Sequence, residues 1–110
     1  MKQQDPNVAE LARQDRQQDE DWSAYMAESR QIDRERYATL DPPTAEELEQ
    51  WVEREKRLLE RGIEALASDL RHREPSWSTD RKYEQVRAQA RSLDRTTRRW
   101  HEAREAKARR

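Results

Sequence analysis

The sequence predicts an all-α protein, either an antiparallel three-helix bundle or an extended helical hairpin with an additional N-terminal helix, packed in coiled-coil fashion. Three observations carry this expectation. Large apolar residues recur at steps of three and four, in stripes that Pro42, Pro43 and Pro75 separate into segments of similar length. One Gly and four Pro among 110 residues leave little material for turns, and no stretch alternates apolar with polar residues as a strand does. The hydrophobic fraction is 32%, against roughly 45 to 50% in ordinary globular chains. With no Phe at all, the interior must be a narrow seam between helices.

The first helix is expected over about 6–40. Asp5 offers a capping acid and Pro6 the first helical position, where a missing N–H costs nothing. Val8, Leu11 and Ala12 give a short apolar face. No apolar residue follows from Gln14 to Asp21, and Trp22, Tyr25, Met26, Ile32, Tyr37 and Leu40 then resume the stripe. Residues 1–20 therefore read as an N-terminal extension able to move independently. Asp41, Pro42 and Pro43 end the helix.

Thr44 and Glu47 have the spacing of a capping box and open the second helix, expected over 44–72. Its stripe is Leu48, Trp51, Val52, Leu58, Leu59, Ile63, Leu66 and Leu70. Pro75 stops it. The third helix is expected over 78–108, capped somewhere between Ser76 and Asp80, with Tyr83, Val86, Ala90, Leu93, Thr97 and Trp100 as its buried face and Trp77 in the preceding loop. The whole chain reads as one helical domain, 1–110.

Short connections favour antiparallel neighbours, giving an up-down-up bundle. Reflection about the two turns sets Trp22 opposite Gly62, Gly62 opposite Ala90, and Trp51 level with Trp100. It also sets Ile63, Leu66, Leu70, Tyr83 and Val86 against the polar run Gln14–Asp21. At about 25 cal/mol per Å² of apolar surface, leaving these side chains wet forgoes several kcal/mol. A cover is expected, from Val8 and Leu11 folding across, from a second copy of the chain, or from another protein.

Function classes are narrowed mainly by what the chain lacks. It has no Cys, hence no disulfide, thiolate nucleophile or Cys-based zinc site. His72 and His101 have no second His at helical ligand spacing. A single Gly leaves no phosphate-cradling loop, and no Ser stands in a nucleophile motif. With 24 Asp and Glu, proximity of two carboxylates says nothing about acid–base work. No catalytic residue, metal, cofactor or small-molecule substrate is assigned, and the protein is read as a non-enzyme. No window is apolar enough to span a bilayer and no signal-type apolar run opens the chain, so the expectation is a soluble, cytoplasmic protein with no membrane partner. Arg outnumbers Lys 19 to 4, the bias of GC-rich bacterial or mobile-element coding.

Charge is unevenly spread. Residues 81–110 carry a net +7 and residues 1–80 a net −8. Arg87, Arg91, Arg95 and Arg98 share one face of the third helix, where they can follow a phosphate backbone or pair with Glu84, Asp94, Glu102 and Glu105 at helical spacing. Trp22, Trp51 and Trp100 fall on stripes and read as core. Trp77 reads as an end plug or an exposed anchor. The leading expectation is a helical protein–protein interaction module, an adaptor, inhibitor or assembly factor, whose apolar strip is Ile63, Leu66, Leu70, Trp77, Tyr83 and Val86 and whose partner is another protein or itself as a homodimer. The alternative is a nucleic-acid-associated accessory protein of a plasmid or phage, using Arg87, Arg91, Arg95 and Arg98.

Overall fold

The computed structural model describes residues 6–38, 41–72, 74 and 76–110. Three helices, α1 (Pro6–Ala38), α2 (Ala45–His72) and α3 (Trp77–Ala108), form an antiparallel three-helix bundle, a rod of 77 × 22 × 19 Å. The α1–α2 boundary follows the local chemistry: the Glu47 N–H donates to Thr44 Oγ1 at 3.1 Å and the Thr44 N–H to Glu47 Oε1 at 3.3 Å. Each bond satisfies a donor that a helix start leaves orphaned. At the next boundary the Ser76 N–H donates to Thr79 Oγ1 at 3.3 Å. Ser76 is the N-cap, so Trp77 begins α3 and does not lie in a loop. The proposed cap Asp5, Leu40 at the end of the first stripe and Pro75 lie outside the described residues.

The dry core is small. Tyr25, Ile32 and Leu58 are buried together, with Trp22, Met26 and Trp51 packed against them. Gly62 is buried under Tyr25, and not under Trp22 as the reflection suggested. Ala90, expected on the same layer, is exposed. The cause is a rotation of α3. Its buried residues are Thr79, Lys82, Val86, Gln89 and Thr96, again at steps of three and four but displaced by about one position from the apolar stripe read in the sequence. Only Val86 belongs to both.

Polar residues can occupy that seam because each meets a partner across it. Lys82 Nζ lies 3.2 Å from Asp69 Oδ1, and Thr79 Oγ1 donates to Asp69 Oδ2 at 3.4 Å. Midway along the rod, Ser29 Oγ donates to Gln89 Oε1 at 3.3 Å. Toward the other end Glu55, fully buried, bonds to the Arg36 guanidinium and accepts from Ser92 Oγ at 3.2 Å and Thr96 Oγ1 at 3.3 Å. Arg36 in turn donates to Ser92 Oγ and Thr96 Oγ1 and lies over the Trp51 ring. Burial, the largest influence, pulls the Arg36 pKa below its ordinary value, Asp33 opposes it, and Arg99, Arg95 and Arg54 add to the lowering. The chain thus answers a shortage of large apolar residues with three polar layers bonded between helices, although in the last of them Glu55 Oε2 is buried without a hydrogen-bond partner.

The polar run on α1 is resolved the same way. Gln18 is buried and donates to the Ser68 carbonyl at 3.4 Å, so α1 covers this end of the seam with an amide. Neither Val8 nor Leu11 folds across. Both are about half exposed on a helix that continues straight through them.

Candidate interaction surface

The position of α1 decides which apolar residues stay open. Along α2 it meets Arg54 through Glu35, Arg61 through Glu28, Gly62 through Tyr25 and Ser68 through Gln18. Along α3 it meets Lys82 through Trp22, Gln89 through Ser29, and Ser92 and Thr96 through Arg36. Among the described residues no Cα of α1 comes within 8 Å of one in α3; side chains alone bridge the two helices. The peripheral ion pairs are partly or fully solvated. Arg54 holds the Glu35 carboxyl below the usual range by hydrogen bonding, and Lys107 does the same to Glu46, but exposed pairs of this kind contribute little to stability.

Opposite α1 the α2–α3 seam has an uncovered edge. Asp69 and Lys82 touch across the seam, and one residue further along each helix turns the side chain about 100° toward the side away from α1. Those residues are Leu70 and Tyr83, and both are about half exposed. Ile63, seven residues before Leu70 and so on the same face, is exposed to the same degree. The α2 positions that continue this line upward are Lys56 and Glu49. The edge is therefore apolar only over the half of the rod near the α2–α3 turn.

The strip expected from the sequence divides into three parts. Ile63, Leu70 and Tyr83 form this open edge. Leu66 and Val86 are buried in the seam beside it and present no surface. Trp77, 69% exposed, belongs to a different face: it lines a cavity of about 330 Å³ between α1 and α3 together with Trp22, Met26, Ser78, Arg81, Lys82 and Gln85. The Arg81 guanidinium stacks over its ring at 5.2 Å. Trp77 is a rim residue of that groove and not a plug.

Of the arginine face, Arg87 pairs with Glu84 at 3.5 Å and Arg98 with Asp94 at 3.1 Å, as the interleaved acids suggested. Among the described residues Arg91 and Arg95 meet no carboxylate within ion-pair distance. Among the same residues no three His, Cys, Asp or Glu side chains gather closely enough to hold a metal ion, and no helix is long and apolar enough to cross a membrane.

A signal for the buried polar layers does exist in the sequence, in paired form. Lys82 and Thr96 lie on one three-and-four stripe of α3, and counting back from the turn brings them level with Asp69 and Glu55. Reading apolar residues alone passes over it. Comparison of the chain with protein-family models, with curated proteins and with solved structures finds no match.

Proposed function

We propose that this chain is a non-enzymatic helical interaction module, an adaptor, inhibitor or assembly factor that binds through the edge formed by Ile63, Leu70 and Tyr83. The observation that carries the reading is the joint exposure of these three large side chains on one edge of the α2–α3 seam, in a chain with few large apolar residues to spare. Apolar anchors in a charged surround are the arrangement that gives helix-on-helix association its affinity and its register. The test is site-specific photocrosslinking in the native host. A benzoyl-phenylalanine in place of Tyr83 should give a discrete adduct that the same group in place of Arg98 does not. Equal or absent adducts at both positions would overturn the proposal.

A second reading rests on Arg91 and Arg95. Guanidinium groups that pair with no carboxylate among the described residues are available to phosphates, which supports an accessory role on nucleic acid through the face that also bears Arg87 and Arg98. The interleaved Glu84 and Asp94 weaken that field, so it stands behind the first.

A further inference from the structure

The apolar edge is bordered on both sides by charge, and the two borders match. On α2, Glu60, Glu64 and Arg71 stand beside Ile63 and Leu70, turned one step further from α3; on α3, Asp80, Arg87 and Arg91 stand beside Tyr83, turned one step further from α2. All six are exposed. Among the described residues only Arg87 of the six has an ion-pair partner, Glu84 of its own helix.

Their heights follow from the buried seam. Asp69 meets Lys82 and Glu55 meets Thr96, fourteen residues apart on each helix, so one register holds along the rod and each step forward on α2 is a step back on α3. On that scale Arg71 is level with Asp80, Glu64 with Arg87 and Glu60 with Arg91. The signs are opposite at all three levels, and they reverse together between Glu64–Arg87 and Arg71–Asp80. Within one molecule the members of each pair stand on opposite flanks of the seam and form no ion pair. The match is of no use to a single chain.

We infer that the occupant of this edge is the same edge of a second copy of the chain, in a dimer whose two-fold axis runs along the rods. The inference rests on the proposal that the edge is a binding surface. A two-fold axis parallel to the rods leaves every height unchanged and exchanges left with right. Each α2 therefore lies against the other copy's α3, antiparallel to it, and the four helices form a bundle with one α1 on either outer side. All three charge pairs are then made between molecules, twice over, as an isologous interface requires. Tyr83 of one copy arrives at the height of Ser68 of the other, between its Ile63 and Leu70. Ala90, exposed and small, arrives near Ile63, where it lets the helices approach. The other two-fold arrangement, with its axis across the rods, sets α2 against α2 and α3 against α3, and so acid against acid and arginine against arginine, which disfavours it. The contact ends where Lys56 and Glu49 replace apolar residues on the edge, which leaves Arg98 to Asp94 of its own helix.

The test uses the full-length chain by sedimentation, with circular dichroism as the folding control. Wild type should be dimeric. Glu60→Arg/Glu64→Arg and Arg87→Glu/Arg91→Glu should each stay helical and dimerise at least about tenfold more weakly, since each homodimer then sets like charge against like at four places. An equimolar mixture of the two should recover wild-type dimerisation, because every α2 then meets an α3 of opposite sign. A monomeric wild type, unweakened variants or no recovery in the mixture would overturn the dimer. Should either variant fail to fold, the cysteine-free background supplies a second measurement: Glu64→Cys chains oxidised together with Arg87→Cys chains should form a mixed disulfide dimer in excess of either symmetric one, and no such excess overturns the arrangement. The photocrosslink at Tyr83 separates this inference from the proposal beneath it. An adduct to a second copy of the chain supports both, and an adduct only to a different protein overturns the dimer while leaving the edge a binding surface. Absence of any adduct there removes both.

Discussion

Gly62 lies under the ring of Tyr25: a Cβ at position 62 would stand 2.8 Å from Tyr25 Cε2 and 2.9 Å from Cζ. No glycine in the described chain has a positive φ, so space and not backbone freedom explains the residue. Gly62→Ala should gain about 1 kcal/mol in helix propensity and lose about 1 to 3 kcal/mol by forcing the buried ring aside, a net loss in urea unfolding. In a Tyr25→Leu background the same change should stabilise. Additive effects of the two substitutions would contradict the contact.

The Tyr25 hydroxyl should make the fold sensitive to alkali. Burial pushes its pKa up from 10 to about 12, with Gln85 tempering the rise. The native state holds this proton more tightly than the unfolded chain, so the unfolded state releases it first and stability falls as the pH rises from 10 toward 12. The loss should reach about 1.4 kcal/mol by pH 11. Chemical denaturation at pH 9 and pH 11 measures it, and Tyr25→Phe should remove the difference.

Arg36→Met should destabilise the bundle by about 3 to 5 kcal/mol, because it leaves the Glu55 carboxylate buried without its cation. Replacing both, as Arg36→Met with Glu55→Leu, should cost less than the single change, since the charges leave together. A double variant weaker than the single one in urea titration would mean that Glu55 draws its support from Ser92 and Thr96 instead.

Duplex DNA binding, if the arginine face has that role, should depend on Arg91 and Arg95 more than on Arg87 and Arg98, which already face carboxylates. Arg91→Gln with Arg95→Gln should flatten the logarithmic salt dependence by about 0.9 for each phosphate no longer neutralised. Fluorescence anisotropy across a salt series reads the slope. An unchanged slope excludes this face.

The apolar pattern is enough for the architecture. The α2 stripe, the Thr44–Glu47 cap and the proline breaks are local features, and local features survive being read without neighbours. The face of α3 did not, because Lys82, Gln89 and Thr96 look like solvent-facing residues until Asp69, Ser29 and Glu55 are placed beside them. That error carried Leu66 and Val86 into the expected binding strip and missed their burial. Asp at both positions should unfold the bundle by stranding charge in the seam, whereas Ile63 and Tyr83 can take the same change on the open edge. Trp77 falls inside α3 for another reason: Ser76 caps the helix one residue before it, and a sequence that offers Ser76, Ser78, Thr79 and Asp80 as caps does not rank them.

The three polar layers differ in kind along the rod: an acid with a lysine, a hydroxyl with an amide, and an acid with an arginine and two hydroxyls. A uniform aliphatic seam tolerates sliding by a heptad, because leucine meets leucine at every stop. Here a seven-residue slip of α3 against α2 would bring Gln89 to Asp69 and leave Lys82 without its carboxylate. Wrong alignments of the hairpin are thereby raised in energy more than the right one is lowered. The α2–α3 hairpin therefore has a single alignment in which both buried carboxylates, Asp69 and Glu55, meet their partners, and that alignment fixes the stagger against which α1 packs.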